Sequence, residues 1–420
     1  MHDPVDLLVV GLGYVGLPLA REASQAGLRV RGFDADPRVV ARLNGGTSHV
    51  DGVSDEDVRA MRATGFTATC DERGFGAPRV VVVCVPTPLD RDGLPDLSSV
   101  VRAGRMVARQ LRRGMLVVLE STTFPGTTDD IVRPILEESG LRVGDDFALA
   151  FSPERIDPGN TEHGVHNTPK VVGGCTPGCT ERAIGFYSRF VMKVVAAKST
   201  REAEMAKILE NTYRQVNIAL VNEMAMIAHE LGVDLWNAIE CAGTKPFGFA
   251  AFQPGPGVGG HCIPIDPRYL SFQVRALGGR SQLIDVAQEI NDGMPQYVVG
   301  RAGQLLAKGG GGLPGARILL LGVTYKADVA DQRESPADDV VRHLRERGAD
   351  VAYHDPYIGS WTVDGAEVAR AEDLDRAMGA ADLTIVLQWH AHYLEHLDAS
   401  RTPALFDTRG RLDERNVAVL

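Results

Sequence analysis

The chain lacks any apolar run long enough to span a bilayer as a helix. It also lacks a basic excess. Its formal net charge is −11, which keeps it soluble and argues against nonspecific binding to nucleic acid or to an anionic membrane surface. That balance says nothing local, since a phosphate site can be basic inside an acidic protein. Cysteine is sparse: Cys70, Cys84, Cys175, Cys179, Cys241 and Cys262 make no disulfide framework. A large acidic chain of this kind belongs in a reducing compartment, the cytoplasm by default. Cys175 and Cys179 lie in a Gly/Pro-containing loop without a second pair at metal-ligand spacing, so no metal is expected there. Cys84 falls in an apolar stretch and reads as a core thiol. No basic leader accompanies the apolar stretch 5–20, so it is not read as a signal peptide. There is no low-complexity tail.

What is present is ordinary for a globular protein: 44% apolar and 24% charged residues. A chain of 420 residues fits two or three domains. Residues 7–10 read as a strand entering Gly11-Leu12-Gly13-Tyr14-Val15-Gly16, followed by a helix over 17–26. A second strand, 29–33, ends at Asp34, 18 residues after Gly16. Glycines between strand and helix, with an acid at the next strand end, form the dinucleotide fingerprint. Asp34 should accept hydrogen bonds from the adenosine ribose and repel a 2′-phosphate, favouring NAD over NADP. Arg38 is the reservation, because a nearby arginine can serve such a phosphate. Strands at 79–85 and 115–119, the latter before Glu120-Ser121-Thr122, complete a doubly wound parallel sheet. Its carboxyl edge, where ligands bind, carries Gly11, Asp34, Pro86-Thr87 and Thr122.

The carboxyl-terminal part repeats this plan strand for strand, with runs at 317–321, 350–354, 383–387 and 404–406 leading to Gly322, Asp355 and Asp407. Gly322-Val323-Thr324-Tyr325-Lys326 lacks the full glycine pattern and carries a lysine, which reads as a domain adapted to a phosphate ligand other than the dinucleotide. Residues 308–312, Lys-Gly-Gly-Gly-Gly, form a flexible joint before it. Between the two copies, residues 200–232 hold a helical pattern roughly 50 Å long, a spine and dimer contact for a two-lobed enzyme.

The chemistry concentrates in Gly255-Pro256-Gly257-Val258-Gly259-Gly260-His261-Cys262-Ile263-Pro264-Ile265-Asp266. Glycines let main chain approach a ligand closely. A thiol in such a loop reads as a covalent nucleophile rather than a core residue. Adjacent side chains in extended backbone point apart, so His261 is not expected to deprotonate Cys262, and Asp266 is the better proton carrier. Lys207 and Asn211 stand four apart on the long helix and share a face. With Glu204 and Glu210 nearby they read either as a solvated ion-pair stripe or as donors for a developing oxyanion. Glu154, in Ser152-Pro153-Glu154-Arg155, taken alone is a surface acid. Thr122, beside Ser121, can hold a water, and Arg214 and Asn217 can reach a phosphate or a sugar.

Together the segments GLGYVGLP, CVPTPL, ESTTFPGTT, SPERIDPG, EMAKILENTYR, GVGGHCIPIDP, GVTYKADVADQRESP and FDTRG resemble, in order from Gly11 to Gly410, the UDP-glucose/GDP-mannose dehydrogenase family of nucleotide-sugar 6-dehydrogenases. The resemblance implies Cys262 as nucleophile, with Lys207 and Asn211 stabilising the oxyanion. It implies Asp266, with Thr122 and a water, as the proton-handling group, and Glu154 as activator of hydrolytic water. It also implies Lys326 as a substrate contact and Arg333 as a residue touching cofactor or interface. Gly11, Gly13, Tyr14, Val15, Gly16, Asp34, Arg38, Pro86, Thr87, Ser121, Thr122 and Arg333 would then line the NAD site. Glu154, Arg155, Lys207, Asn211, Arg214, Asn217, Lys245, Phe249, Gly259 and Lys326 would meet a UDP-sugar.

Two departures stand out. Many UDP-glucose members carry a second glutamate where this chain has Pro158, and Leu387-Gln388-Trp389-His390 lacks the usual Thr-Asp, so His390 receives no role. His261 and Ile263 around the cysteine, with Thr244-Lys245-Pro246-Phe247-Gly248-Phe249, are similar to UDP-N-acetylglucosamine 6-dehydrogenases; the UDP-N-acetylmannosamine and UDP-glucose enzymes stay open. The expected fold is α/β, with two Rossmann-like doubly wound parallel-sheet domains (1–198 for NAD, 313–420 for the UDP-sugar) joined by a helical domain (199–305) with a long central helix. A homodimer through that helix is expected. A two-electron hydroxyacid-type dehydrogenase and a noncatalytic nucleotide-sugar-binding protein are the rival readings.

Overall fold

Short apolar runs between glycine, proline and acidic turn residues become the strands, and the chain folds as two compact units: Met1–Glu210 with Arg268–Leu277, and Asn211–Pro267 with Gly278–Leu420. The computed structural model describes residues 4–50, 52–90, 93–157, 160, 162–260, 262–412 and 417–420.

The first unit is built on β1 (Pro4–Val10), β2 (Val30–Phe33), β3 (Thr67–Thr69), β4 (Ala77–Val83), β5 (Leu116–Leu119), β6 (Ala148–Phe151), β7 (Lys170–Gly174) and β8 (Val194–Ala196). They lie in the order β3-β2-β1-β4-β5-β6-β7-β8. Every neighbouring pair is parallel except β6 with β7. Leu7–Val10, Val81–Val83 and Leu116–Leu119 are buried along their whole length, as parallel strands covered on both faces must be. Each such side chain contributes roughly 1.5–3 kcal/mol.

The second unit holds β9 (Arg317–Leu321), β10 (Asp350–His354), the small hairpin β11 (Thr362–Val363) and β12 (Ala366–Glu367), then β13 (Ala369–Arg370), β14 (Leu383–Val386), β15 (Leu405–Asp407) and β16 (Val417–Val419). Its main sheet runs β13-β10-β9-β14-β15-β16, all parallel. Hairpin aside, that is the order of the first six strands of the other sheet. The expected repeat therefore holds for six strands, and the first sheet adds β7 and β8 beyond it.

One loop expectation fails. Cys179 sits inside the helix Pro177–Tyr187, which Thr176 caps by accepting the Cys179 N–H at 3.2 Å. All six cysteines are free, and burial pushes the Cys84 thiol well up, as suits a core residue. Among the described residues no helix is long and apolar enough to cross a membrane.

The long helix runs Thr200–Leu231 and ends at Gly232, whose φ of 66° is the left-handed stop expected after a helix. Within the first unit its opening turns are tied to the chain that follows β5. Glu204, fully buried, accepts the Gly126 N–H at 2.6 Å and, from Thr128, the N–H at 2.9 Å and the hydroxyl at 2.7 Å. The Thr200 hydroxyl donates to Asp129 at 2.5 Å. Burial raises the Glu204 carboxyl to about 7, against the lowering effect of those donors. The folded state thus holds a proton that the unfolded chain releases near its ordinary value of 4.5. Stability from this group is complete below that value and is lost as pH rises through about 7. Compared with Glu204→Gln in urea unfolding, the native protein should lose ground across that window; a difference independent of pH would contradict this.

Candidate active site

The first unit carries the cofactor crest. β1 ends at Gly11, whose φ is 92° and whose Cβ, if it had one, would stand 2.4 Å from the Cys84 carbonyl oxygen. Nothing of the protein lies within 4 Å of a Cβ at Gly13. Glycine there answers to no packing of the chain itself and leaves room for a pyrophosphate. Tyr14 and Val15 are half-buried and Gly16 opens the helix Gly16–Gln25. Asp34, at the tip of β2, accepts the Leu12 N–H and the Asp36 N–H, each at 2.9 Å, and stays half-exposed. The Arg38 guanidinium is exposed and paired with Asp36 at 2.8 Å, so the arginine held in reserve for a 2′-phosphate already has a carboxylate. The Ser121 hydroxyl donates to the Val85 carbonyl at 2.7 Å, joining the ends of β4 and β5. Thr87 is buried, and its carbonyl accepts the Tyr269 hydroxyl at 3.0 Å; Pro86 is exposed and Thr122 half-buried.

Glu154 is no surface acid. It lies past β6, only 6% exposed, with a carboxylate oxygen 3.3 Å from the ammonium of Lys207, which is equally buried. The Ile156 N–H donates to the other oxygen. Lys207 is therefore not part of a solvated stripe. Glu210 pairs with Arg155, which also donates to the Pro169 carbonyl at 2.9 Å. A cavity beside Glu154 is lined by Arg155, Val165, Thr168, Lys170 and Glu120. There Glu120 and Lys170 form a buried ion pair at 3.0 Å, and the Tyr187 hydroxyl donates to Glu120. Burial, and then the Glu120 charge, push the Tyr187 phenol well up. Sequence reasoning passed over this trio, although an acid immediately after an all-apolar strand was a visible signal.

In the second unit the amide of Asn211 donates to the carboxylate of Asp266, a residue 3% exposed. The Asp266 N–H donates to the Cys262 carbonyl at 2.8 Å, so thiol and carboxylate share one turn as expected. Cys262 is half-buried. The glycines before it let the protein's own chain approach closely. A Cβ on Gly259 would lie 2.6 Å from the Glu334 carbonyl oxygen, and one on Gly260 would lie 2.8 Å from the Tyr325 ring. The Gly260 N–H donates to the Arg333 carbonyl at 3.1 Å. The cysteine loop is thus laid on the segment that carries Lys326, which is half-buried, and Arg333, whose guanidinium pairs with Asp331 at 2.6 Å. Arg214 is exposed, and the Asn217 amide donates to the Tyr213 carbonyl of its own helix at 2.7 Å. Lys245 lies 5.0 Å from the Phe247 ring centre on an exposed segment that also carries Phe249. His261 and Pro158 lie outside the described residues.

A glycine crest beside an acidic strand tip, on one of two doubly wound sheets, defines a dinucleotide-binding protein of the NAD kind. Residues 5–191 match the NAD binding domain of the UDP-glucose/GDP-mannose dehydrogenase family, 201–293 its central domain and 319–417 its UDP binding domain. The chain belongs to that family and is an NAD-dependent nucleotide-sugar dehydrogenase. It is similar to a UDP-N-acetyl-D-glucosamine 6-dehydrogenase of Pseudomonas aeruginosa, 39% identical over 84% of this chain and 83% of that one. It is also similar to a UDP-N-acetyl-D-mannosamine dehydrogenase of Pyrococcus horikoshii, 35% identical over 92% and 90%. A solved UDP-D-ManNAc dehydrogenase structure from Pyrococcus horikoshii superposes with a TM-score of 0.91 at 33% identity, covering 99% of this chain and 98% of that one.

Removing one partner of the Lys207–Glu154 pair strands a buried charge. Lys207→Met and Glu154→Leu should each cost about 3–5 kcal/mol in urea unfolding, and the double variant should recover most of it. Strictly additive losses would show that the two groups are not coupled.

Proposed function

We propose that the protein oxidises C6 of a UDP-hexose, UDP-N-acetylglucosamine foremost, to the uronic acid with two equivalents of NAD, through a thiohemiacetal and a thioester on Cys262. The balance is sugar-CH2OH + 2 NAD⁺ + H2O → sugar-COO⁻ + 2 NADH + 3 H⁺. The observation that carries this reading is the turn holding Cys262 beside a buried Asp266 whose carboxylate is oriented by Asn211. Bound on the crest of Gly11, Gly13, Gly16 and Asp34, NAD supplies a hydride acceptor twice.

The chain's own groups do the rest. A water near Asp266 takes the proton of the C6 hydroxyl as the aldehyde forms. The Cys262 thiolate adds to the aldehyde carbon, and the Asn211 amide and Lys207 ammonium face the oxyanion. Donors aimed there act where charge develops, in the transition state rather than the ground state. Loss of the second hydride equivalent leaves the thioester. Glu154 then takes a proton from water held by Thr122, the water oxygen bonds to the carbonyl carbon, and the C–S bond breaks to restore the thiolate. The covalent link keeps a reactive aldehyde in place between the two oxidations.

The preference for the acetamido sugar draws on His261 and Ile263 beside the cysteine and on the likeness to the Pseudomonas enzyme. Lys326 is assigned to the diphosphate of the UDP-sugar, with Arg155, Arg214, Asn217, Lys245, Phe249 and Gly259 around the rest. Pro86, Thr87, Ser121 and Arg333 join the cofactor's surroundings. Residues 1–198, 199–305 and 313–420 act as the NAD, central and UDP-sugar domains. A homodimer forms through the long helix, whose Leu220, Met224, Ile227 and Leu231 stand exposed at spacings of four, three and four residues. That is the pattern of a helix-on-helix seam. The free cysteines suit a cytoplasmic setting.

Cys262→Ala should abolish uronate formation from UDP-N-acetylglucosamine and excess NAD, a fall on the order of a thousandfold or more. Acid-quenched native enzyme should carry a sugar adduct on Cys262 by mass spectrometry. Steady uronate production by the variant would sink the thioester scheme.

A further inference from the structure

The two crests of the internal repeat match bond for bond. The Gly11 N–H donates to the Phe33 carbonyl at 2.8 Å, and the Gly322 N–H to the His354 carbonyl at 3.1 Å. Asp34 accepts the Leu12 and Asp36 N–H groups, both at 2.9 Å. Asp355, at the same place after β10, accepts the Val323 N–H at 2.7 Å and the Tyr357 N–H at 2.8 Å. The difference is exposure: Asp34 is half-exposed, whereas Asp355 is 0% exposed.

His390 makes that difference. It too is fully buried, with Nε2 3.1 Å from Asp355 and Nδ1 accepting the Asp328 N–H at 2.9 Å. With the Asp328 N–H directed at Nδ1, the ring's N–H is on Nε2, where it donates to Asp355. Burial works to raise the Asp355 carboxyl, yet the His390 and backbone donors hold it below its ordinary value.

Asp328 is a non-glycine residue at φ 59°, a left-handed conformation that must be held from outside. Its N–H is held by His390, and its carboxylate accepts the Ala391 N–H at 2.8 Å and the Tyr357 hydroxyl at 3.2 Å. The segment between is Val323–Asp328, folded on itself by the Thr324 hydroxyl donating to the Lys326 carbonyl at 2.8 Å and on Gln388, whose amide donates to the Tyr325 carbonyl at 3.1 Å.

We propose that His390 is a positioning residue for the UDP-sugar: clamped between Asp355 and the Asp328 backbone, it sets the Lys326 loop and closes this crest to a dinucleotide. The proposal rests on the reading of Lys326 as a diphosphate contact. The site shares the backbone bonds of the cofactor crest, and its carboxylate serves the loop instead of a ribose.

The test is the Kd of UDP and of NAD by calorimetry for the native protein, His390→Ala, His390→Gln, His390→Asn, Lys326→Ala and the double variant H390A/K326A. Asparagine can place an acceptor where Nδ1 stands; glutamine reaches only toward Asp355. His390→Ala and His390→Gln should weaken UDP by about tenfold with NAD within about twofold, and His390→Asn should recover most of the loss. In the Lys326→Ala background, His390→Ala should add nothing further. Should His390→Ala not fold, the glutamine and asparagine variants make the same comparison. Native UDP affinity in both His390→Ala and His390→Gln, with Lys326→Ala weakened, would overturn the proposal. Native affinity in Lys326→Ala would instead overturn the diphosphate reading beneath it.

Discussion

Burying the ammonium of Lys207 against the carboxylate of Glu154 is the constraint on which the site depends. Two charges taken out of water tolerate little misplacement, because their attraction must offset the desolvation of both. The helix Thr200–Leu231 must therefore keep its register against the loop after β6. Glu204 enforces this one turn earlier, by accepting three donors from the loop after β5. Asn211, one turn later on the same face, donates to Asp266. Glu204, Lys207 and Asn211 thus form a short polar ladder along one face of the helix. Each rung fixes a different loop.

The second organising idea is reuse of a single crest. Both sheets end β-strand, glycine, acid, with the same backbone bonds, yet the first leaves its acid open and the second seals it. A small change does this: one buried histidine and a loop with one left-handed residue convert a ribose acceptor into a strut. The glycines before Cys262 follow a similar logic, since they let the cysteine loop lie on Tyr325 and Glu334. The close approach that glycine allows is used there for chain-on-chain packing.

The strands were legible because parallel strands covered on both faces must be continuously apolar, and Leu7–Val10 or Leu116–Leu119 show that without help. Other strands were not: β3 is Thr-Ala-Thr, and β7 begins with a lysine buried against Glu120. Local signals also sufficed for the turn joining Cys262 to Asp266. They failed where the partner is distant in sequence. Glu154 reads as surface until Lys207, 53 residues on, arrives, and Glu204 reads as a solvated acid until Gly126 does. His390 carried no signal because its partners, Asp355 and Asp328, come from two separate loops. Cys179 was readable and was missed: Thr176 before Pro177 is a helix start.

The proposed four-electron oxidation, unlike an ordinary alcohol oxidation, needs the half-buried Cys262 thiol that lies within one turn of Asp266. The measurement that tests this most directly is NADH released per mole of sugar consumed, with UDP-N-acetylglucosamine and UDP-glucose supplied separately. The account predicts two equivalents with the acetamido sugar. One equivalent would contradict the thioester chemistry, and two with UDP-glucose alone would contradict the assignment of the sugar.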